Sequence, residues 1–285
     1  MTTLKLYQVD AFTSTVFGGN PAAVVVLDSW LTDDLMQKIA NENNLAETAF
    51  VVPQADEWGL RWFTPTTEVP LCGHATLAAA HVLVTHLNCQ NSVIKFNTRE
   101  SGQLKVSRTD DGQLMMDFPR IELHDVGHEP GHKSGAEHWN QISSALGASP
   151  QALLIGHITP SAPVHFARFG EFADVAALNP DFAALKALDA FGFIATAPGQ
   201  DCDFVSRFFA PSAGIDEDPV TGGAHCLLAP YWSTQLGKPQ LQARQISARG
   251  GKLLCEVTAD RVMLIGQAVD YLAGEIHLPA PTPKR

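Results

Sequence analysis

Two stretches half a chain apart carry the same order of signals, and this constrains the fold more than any other feature of the sequence. Arg61-Trp62-Phe63-Thr64-Pro65 leads into Leu71-Cys72-Gly73-His74-Ala75 and a run of small and apolar residues. Arg207-Phe208-Phe209-Ala210-Pro211 leads into Thr221-Gly222-Gly223-Ala224-His225 and a second such run. Strand-like segments divided by turn residues follow each: Val93 to Phe96, Leu104 to Val106 and Leu114 to Phe118, then Arg244 to Ser247, Lys252 to Val257 and Val262 to Ile265. A unit repeated at half the chain length predicts two similar domains facing each other across a cleft, where function is to be sought.

The runs from Ala75 to Leu87 and from Ala224 to Gln235 are apolar on every side, the pattern of a helix enclosed by its own domain. Pro230 interrupts the second of them. Each half therefore reads as strands wrapped around one central helix. Before the first repeat, Leu4 to Phe12 and Ala22 to Leu27 read as strands, the second entered through the Gly18-Gly19-Asn20-Pro21 turn. Thr32 is placed to cap a helix running to about Asn43, with Asp33 and Asp34 at the positive end of its dipole. Thr48 to Val52 returns to strand, so Glu47 stands at a helix-to-strand junction. The glycines and proline between His124 and Gly135 mark a linker, and they argue against a helix that could gather its histidines around a metal. The expected division is 1–125, 126–278 and an extended tail at 279–285.

Composition narrows the partners. The 285 residues are 45% hydrophobic and 17% charged, enough to build substantial cores, and the formal net charge is -11. Nucleic acid and anionic membrane are not drawn to such a surface, and no stretch reads as a signal region or membrane span, so a cytoplasmic location is expected. Five cysteines without paired spacing suggest neither disulfides nor a zinc site.

Chemistry is expected at the two helix openings. A helix N-terminus leaves backbone N–H groups unpaired and carries partial positive charge, so it can hold a carboxylate, and Gly73, Gly222 and Gly223 let a ligand approach the backbone closely. Glu47 and Asp218 are carboxylates beside these openings that can serve as general acid or base, and His74 can cap, orient or carry a proton. His225, deeper in its helix, reads as a core histidine.

Four motifs in order over essentially the whole chain, Asn20-Pro21-Ala22-Ala23-Val24, Leu45-Ala46-Glu47-Thr48-Ala49-Phe50, Cys72-Gly73-His74-Ala75-Thr76 and Glu217-Asp218-Pro219-Val220-Thr221-Gly222, resemble the PhzF-like (phenazine-biosynthesis) isomerase family. The resemblance implies an α+β fold of the diaminopimelate-epimerase-like kind: two pseudo-symmetric domains, each a mostly antiparallel sheet curled around a central helix. It implies proton transfer without metal or organic cofactor, a small anionic substrate and a homodimer. Glu47 matches the family's general acid/base, and His74 and Asp218 match its substrate-orienting and proton-handling partners. Asn20, Cys72, Gly73, Thr221, Gly222 and Gly223 are the expected substrate-binding positions. Gly223 departs from the pattern, standing where the phenazine enzyme has serine.

The expected function is an isomerase in which Glu47 moves a proton on a carboxylate-bearing substrate. One alternative is an amino-acid racemase or epimerase, for which Cys72 supplies a first thiol and the second opening supplies none. Another is a protein that keeps the fold and only binds a small molecule or partner, a role that does not require Glu47, His74 and Asp218 together.

Overall fold

The computed structural model describes residues 2–125, 135–159, 162–188 and 190–279. The chain divides into two units, Met1–Asp117 with Ile265–Arg285, and Phe118–Leu264. The expected division at 125/126 and 278/279 thus differs from the observed one at 117/118 and 264/265. The reason lies in the last strand, which returns to the first.

The first unit begins with β1 (Thr2–Ala11), β2 (Asn20–Val26), α1 (Asp33–Asn43) and β3 (Glu47–Gln54). It continues with β4 (Glu57–Phe63), β5 (Glu68–Val69), α2 (Gly73–Thr85), β6 (Val93–Thr98) and β7 (Gln103–Arg108), and ends within β8 (Leu114–Pro119). β1 pairs antiparallel with β2, β2 parallel with β3, β3 antiparallel with β4, and β4 parallel with β6. The parallel β4–β6 step is made possible by α2, because parallel neighbours need a long crossover. Helix α2 is apolar around its whole circumference, with Leu77, Val82 and Leu83 fully enclosed. Burying side chains of this size stabilises the unit by about 1.5–3 kcal/mol each. Thr32 takes the N-cap position of α1 as expected, but its hydroxyl makes no capping bond. Its carbonyl accepts from Leu35 and Met36 instead, and Asp33 binds Arg61.

The second unit opens with β9 (His124–Asp125), α3 (Gly135–Leu146), β10 (Ala152–Thr159), β11 (Ala162–Arg168), α4 (Phe172–Ala176) and α5 (Phe182–Lys186). Then come β12 (Gly192–Pro198), β13 (Phe204–Ala210), β14 (Ile215–Asp218), α6 (Gly222–Leu236), β15 (Gln240–Gln245), β16 (Gly251–Val257) and β17 (Arg261–Gly266), within which the unit ends. The pairing sense repeats that of the first unit. β10 and β11 are antiparallel, β11 and β12 parallel, β12 and β13 antiparallel, and β13 and β15 parallel across α6. Leu227 and Leu228 of α6 are fully enclosed.

Two sequence expectations shift. The strand read at Arg244 to Ser247 is Gln240–Gln245, where Leu241, Ala243 and Gln245 alternate inward along a regular ladder with β16. No elements are expected from sequence between the linker and Arg207, yet the described residues of that stretch form α3, α4 and α5 and the strands β10 to β13. The last element, β18 (Ala268–Leu278), pairs antiparallel with β1 from Thr2↔Leu278 to Ala11↔Ala268, so chain end and chain start share one ladder. Within the linker and tail, residues 126–134 and 280–285 lie outside the described residues.

Candidate active site

In the first unit, parallel pairing places Ala22 of β2 opposite Glu47, the first residue of β3. Asn20 opens β2 two residues earlier, so a carboxylate and an amide emerge from neighbouring strand starts. Cys72 is the N-cap of α2, in extended conformation and without a side-chain capping bond, and His74 is the second residue of the helix. Thr76 returns both its backbone N–H (3.1 Å) and its hydroxyl (2.6 Å) to the Cys72 carbonyl, which fixes this turn.

These elements gather three of the expected residues, Glu47, Asn20 and Cys72, around the imidazole of a fourth, His74. His74 Nε2 lies 3.2 Å from Glu47 Oε2, an ion-pair distance at an angle outside that of an aligned hydrogen bond. On the other side of the ring, Nδ1 is 3.1 Å from Asn20 Nδ2 and 3.5 Å from Cys72 Sγ. Asn20 is fully buried and His74 is 5% exposed, while Glu47 keeps 14% of its side chain open. Burial alone lowers the pKa of an imidazole, but its neighbours Cys72, beside Nδ1, and Glu47, beside Nε2, hold that of His74 well above its ordinary value. Burial, reinforced by the nearby Glu47 charge, pushes the Cys72 thiol up to about 11. The thiol therefore keeps its proton near neutrality, and Glu47 is the charge that stabilises a His74 imidazolium.

Glu47, Cys72 and His74 also present ligand atoms within 4.8 Å of one another, close enough to consider a metal. Cys72 and Glu47 approach opposite nitrogens of the His74 ring, whereas a metal is held by one ring nitrogen with its other ligands gathered on that side. The donor set therefore fits a proton-handling cluster better than a metal site.

In the second unit, Asp218 closes β14 and Thr221 is the N-cap of α6. The Thr221 hydroxyl donates to Asp218 Oδ2 at 2.5 Å. Gln245, from the end of β15, ties the turn together: its Oε1 accepts from Thr221 N–H (2.9 Å) and its Nε2 donates to the Asp218 carbonyl (2.7 Å). Ser247 donates to the Pro219 carbonyl at 2.8 Å. Gly222 and Gly223 form the first residues of α6, and a Cβ on Gly223 would stand 3.3 Å from Ile158 Cγ2. His225 is fully enclosed, with Nδ1 2.8 Å from the Thr221 carbonyl, and burial pushes its pKa down to about 4. It is a neutral core histidine.

Each unit also contains an arginine fork. Arg61 Nε and Nη2 donate to the two carboxylate oxygens of Glu68, each at 2.7 Å, and Arg207 Nε and Nη2 donate to those of Glu217 at 2.7 and 2.8 Å. The guanidinium lies over Phe63 in one case and Phe209 in the other, 5.2 and 4.9 Å from the ring centroids. Such paired charge-assisted bonds fix geometry. They pin the short strand that precedes each helix opening, and in the second unit the pinned residue is the neighbour of Asp218. The two arginines and their aromatic partners belong to the repeated motif, but their acidic partners follow at different spacings, which hides them from a search for equal intervals. Gln245 has no local sequence signal.

Known proteins agree with this architecture. The family model described as phenazine biosynthesis-like protein matches residues 9–274. An uncharacterized isomerase of Pseudomonas aeruginosa is 48% identical over 275 residues, covering 96% of this chain and 99% of the relative. The crystal structure of a PhzF-family phenazine biosynthesis protein from Enterococcus faecalis has a TM-score of 0.87 at 42% identity, covering 97% of this chain and 100% of that one. A hydroxyproline epimerase from Agrobacterium vitis shares the fold alone, with a TM-score of 0.62 at 10% identity over 98% of this chain and 94% of that one. The fold is thus α+β and epimerase-like, the relatives are named isomerases, and the chain belongs to the phenazine biosynthesis-like (PhzF) family.

Proposed function

We propose that this isomerase moves a proton on a small carboxylate-bearing substrate without a cofactor, with Glu47 as the general acid/base. The observation that carries the reading is the Glu47 carboxylate, partly open to solvent and 3.2 Å from a buried imidazole. Glu47 takes a proton from carbon next to a carbonyl or double bond, the electron pair of the broken C–H bond moves into the conjugated system, and Glu47 returns the proton at another carbon. His74 orients the carboxylate and balances its charge. Asp218, held by Thr221, is assigned as a second proton-handling group, and Cys72, Gly73, Thr221, Gly222 and Gly223 as substrate contacts at the two helix openings. Gly223 brings no hydroxyl, which favours a substrate other than the phenazine precursor.

The racemase alternative needs Cys72 as thiolate, whereas burial keeps its proton on to about pH 11. The reading also includes a cytoplasmic homodimer, and no helix among the described residues is long and apolar enough to cross a membrane. The deciding experiment is solvent-deuterium incorporation into a panel of small unsaturated and carbonyl-bearing carboxylates, comparing wild type with Glu47→Gln. Exchange at the wild-type rate in the variant refutes the assignment.

A further inference from the structure

The position of Asn20 is set with unusual rigidity. It faces Ala11 on β1, and the preceding Gly19 has φ +61°, where a Cβ would lie 2.1 Å from the Ala11 carbonyl oxygen. Only glycine can follow that path into β2. The loop ahead of it is tied by the Phe17 N–H, which donates to buried Asp10 at 2.8 Å. The outcome is a fully buried amide delivered to His74 Nδ1, on the side of the ring opposite Glu47.

An amide is suited to this place because one head carries both a donor and an acceptor. A neutral ring with its proton on Nε2 needs a donor at Nδ1, whereas a protonated ring needs an acceptor there. A carboxylate offers only acceptance, and an alkyl group offers neither. We propose that Asn20 is a positioning residue that keeps a proton on His74 Nε2 in both ring states, donating to Nδ1 when the ring is neutral and accepting Nδ1–H when it is charged. Glu47 then always faces an N–H donor. His74 orients the carboxylate and does not compete with it for the substrate's proton.

The titratable groups around the ring are consistent with this division. Glu47 faces Nε2 from β3, and protonated Cys72 lies beside Nδ1 ahead of α2. Among the other strands packed on α2, Asp10 of β1 takes the Phe17 N–H, and Asp270 of β18 is held by His81 and His86 at 3.1 and 2.9 Å.

The inference rests on the proposed function for its mechanistic meaning but can be tested without a substrate. Nitrogen-15 NMR of the His74 ring, assigned through its loss in His74→Gln, reports which nitrogen is protonated across a pH titration. In wild type, Nε2 is expected to stay pyrrole-like throughout, while Nδ1 becomes pyridine-like as the ring loses its charge. Asn20→Asp, an acceptor only, should keep the proton on Nδ1 and invert the neutral tautomer. If that variant does not fold, Asn20→Ser should retain the wild-type tautomer and Asn20→Ala should weaken the preference, leaving only Glu47 at Nε2 and the Cys72 thiol beside Nδ1 to favour it. A pyridine-like Nε2 in wild type, or an unchanged tautomer preference in Asn20→Ala, overturns the proposal. In the exchange assay, Asn20→Asp should lose on the order of tenfold or more in turnover with little change in KM, as expected when a catalytic imidazole is forced into the wrong tautomer. Absence of exchange by wild type on every substrate refutes the function proposed above, while the tautomer measured by NMR still decides the role of Asn20.

Discussion

Replacing Glu47 with Gln preserves shape while removing the charge 3.2 Å from His74 Nε2. At an effective dielectric of about 20, opposite unit charges at that separation attract by about 5 kcal/mol, and each 1.36 kcal/mol is a tenfold change in proton affinity. Because the Glu47 side chain is 14% exposed, some of this is screened, and the His74 ring of the variant should bind its proton more weakly by on the order of 10²-fold or more. The sign has a consequence for stability. A histidine whose folded pKa is raised above 6.5 contributes stability that is fully present below that value and is lost as pH rises through the folded pKa. The wild-type advantage over Glu47→Gln should therefore be clear near pH 6.5 and shrink as pH climbs. Proton–nitrogen NMR titration of His74 and denaturant melts at several pH values measure the two effects. A His74 pKa in the variant equal to or above that of wild type refutes the electrostatic account of the pair. In turnover, the same substitution should cost on the order of 10²- to 10⁴-fold, since an amide cannot accept and return the proton.

Cys72→Ala should leave deuterium exchange within a few-fold of wild type, and inactivation by the substitution would restore the thiol mechanism. Leu77→Ala, at a fully enclosed position of α2, should cost about 2–5 kcal/mol in urea unfolding, and a loss below about 1 kcal/mol would show that the helix is less tightly enclosed than described. Arg207→Leu leaves the Glu217 carboxylate without its fork partner and should destabilise by about 3 kcal/mol or more, with Arg207→Lys restoring only part because an ammonium cannot form both bonds; full recovery by Lys would refute a role for fork geometry. Gly223→Ser should fold with stability within about 1 kcal/mol of wild type, since its Cβ asks Ile158 to yield only a few tenths of an ångström; failure to fold would show that the contact cannot relax.

The repeated architecture was legible in the residues alone, because a helix apolar on every face has only one stable place, inside its own sheet. Both central helices begin within two residues of the expected start. The motifs likewise marked Glu47, Cys72 and His74, since helix openings and strand starts carry local signals in glycine, small residues and β-branched runs. Whatever depends on pairing between distant segments emerged only in the folded chain. The β1–β18 ladder joins Thr2 to Leu278 and carries the chain end back to the first unit, which no local periodicity encodes. Gln245 reaches the Asp218 turn only because β15 lies parallel to β13. Asn20 is buried against His74 rather than open to solvent because the Ala22↔Glu47 register brings two strand starts beside the opening of α2. A sequence names the groups that can exchange protons, but the register of strands far apart in the chain decides which nitrogen of an imidazole faces which partner, and hydrogen bonding at one nitrogen sets the chemistry of the other.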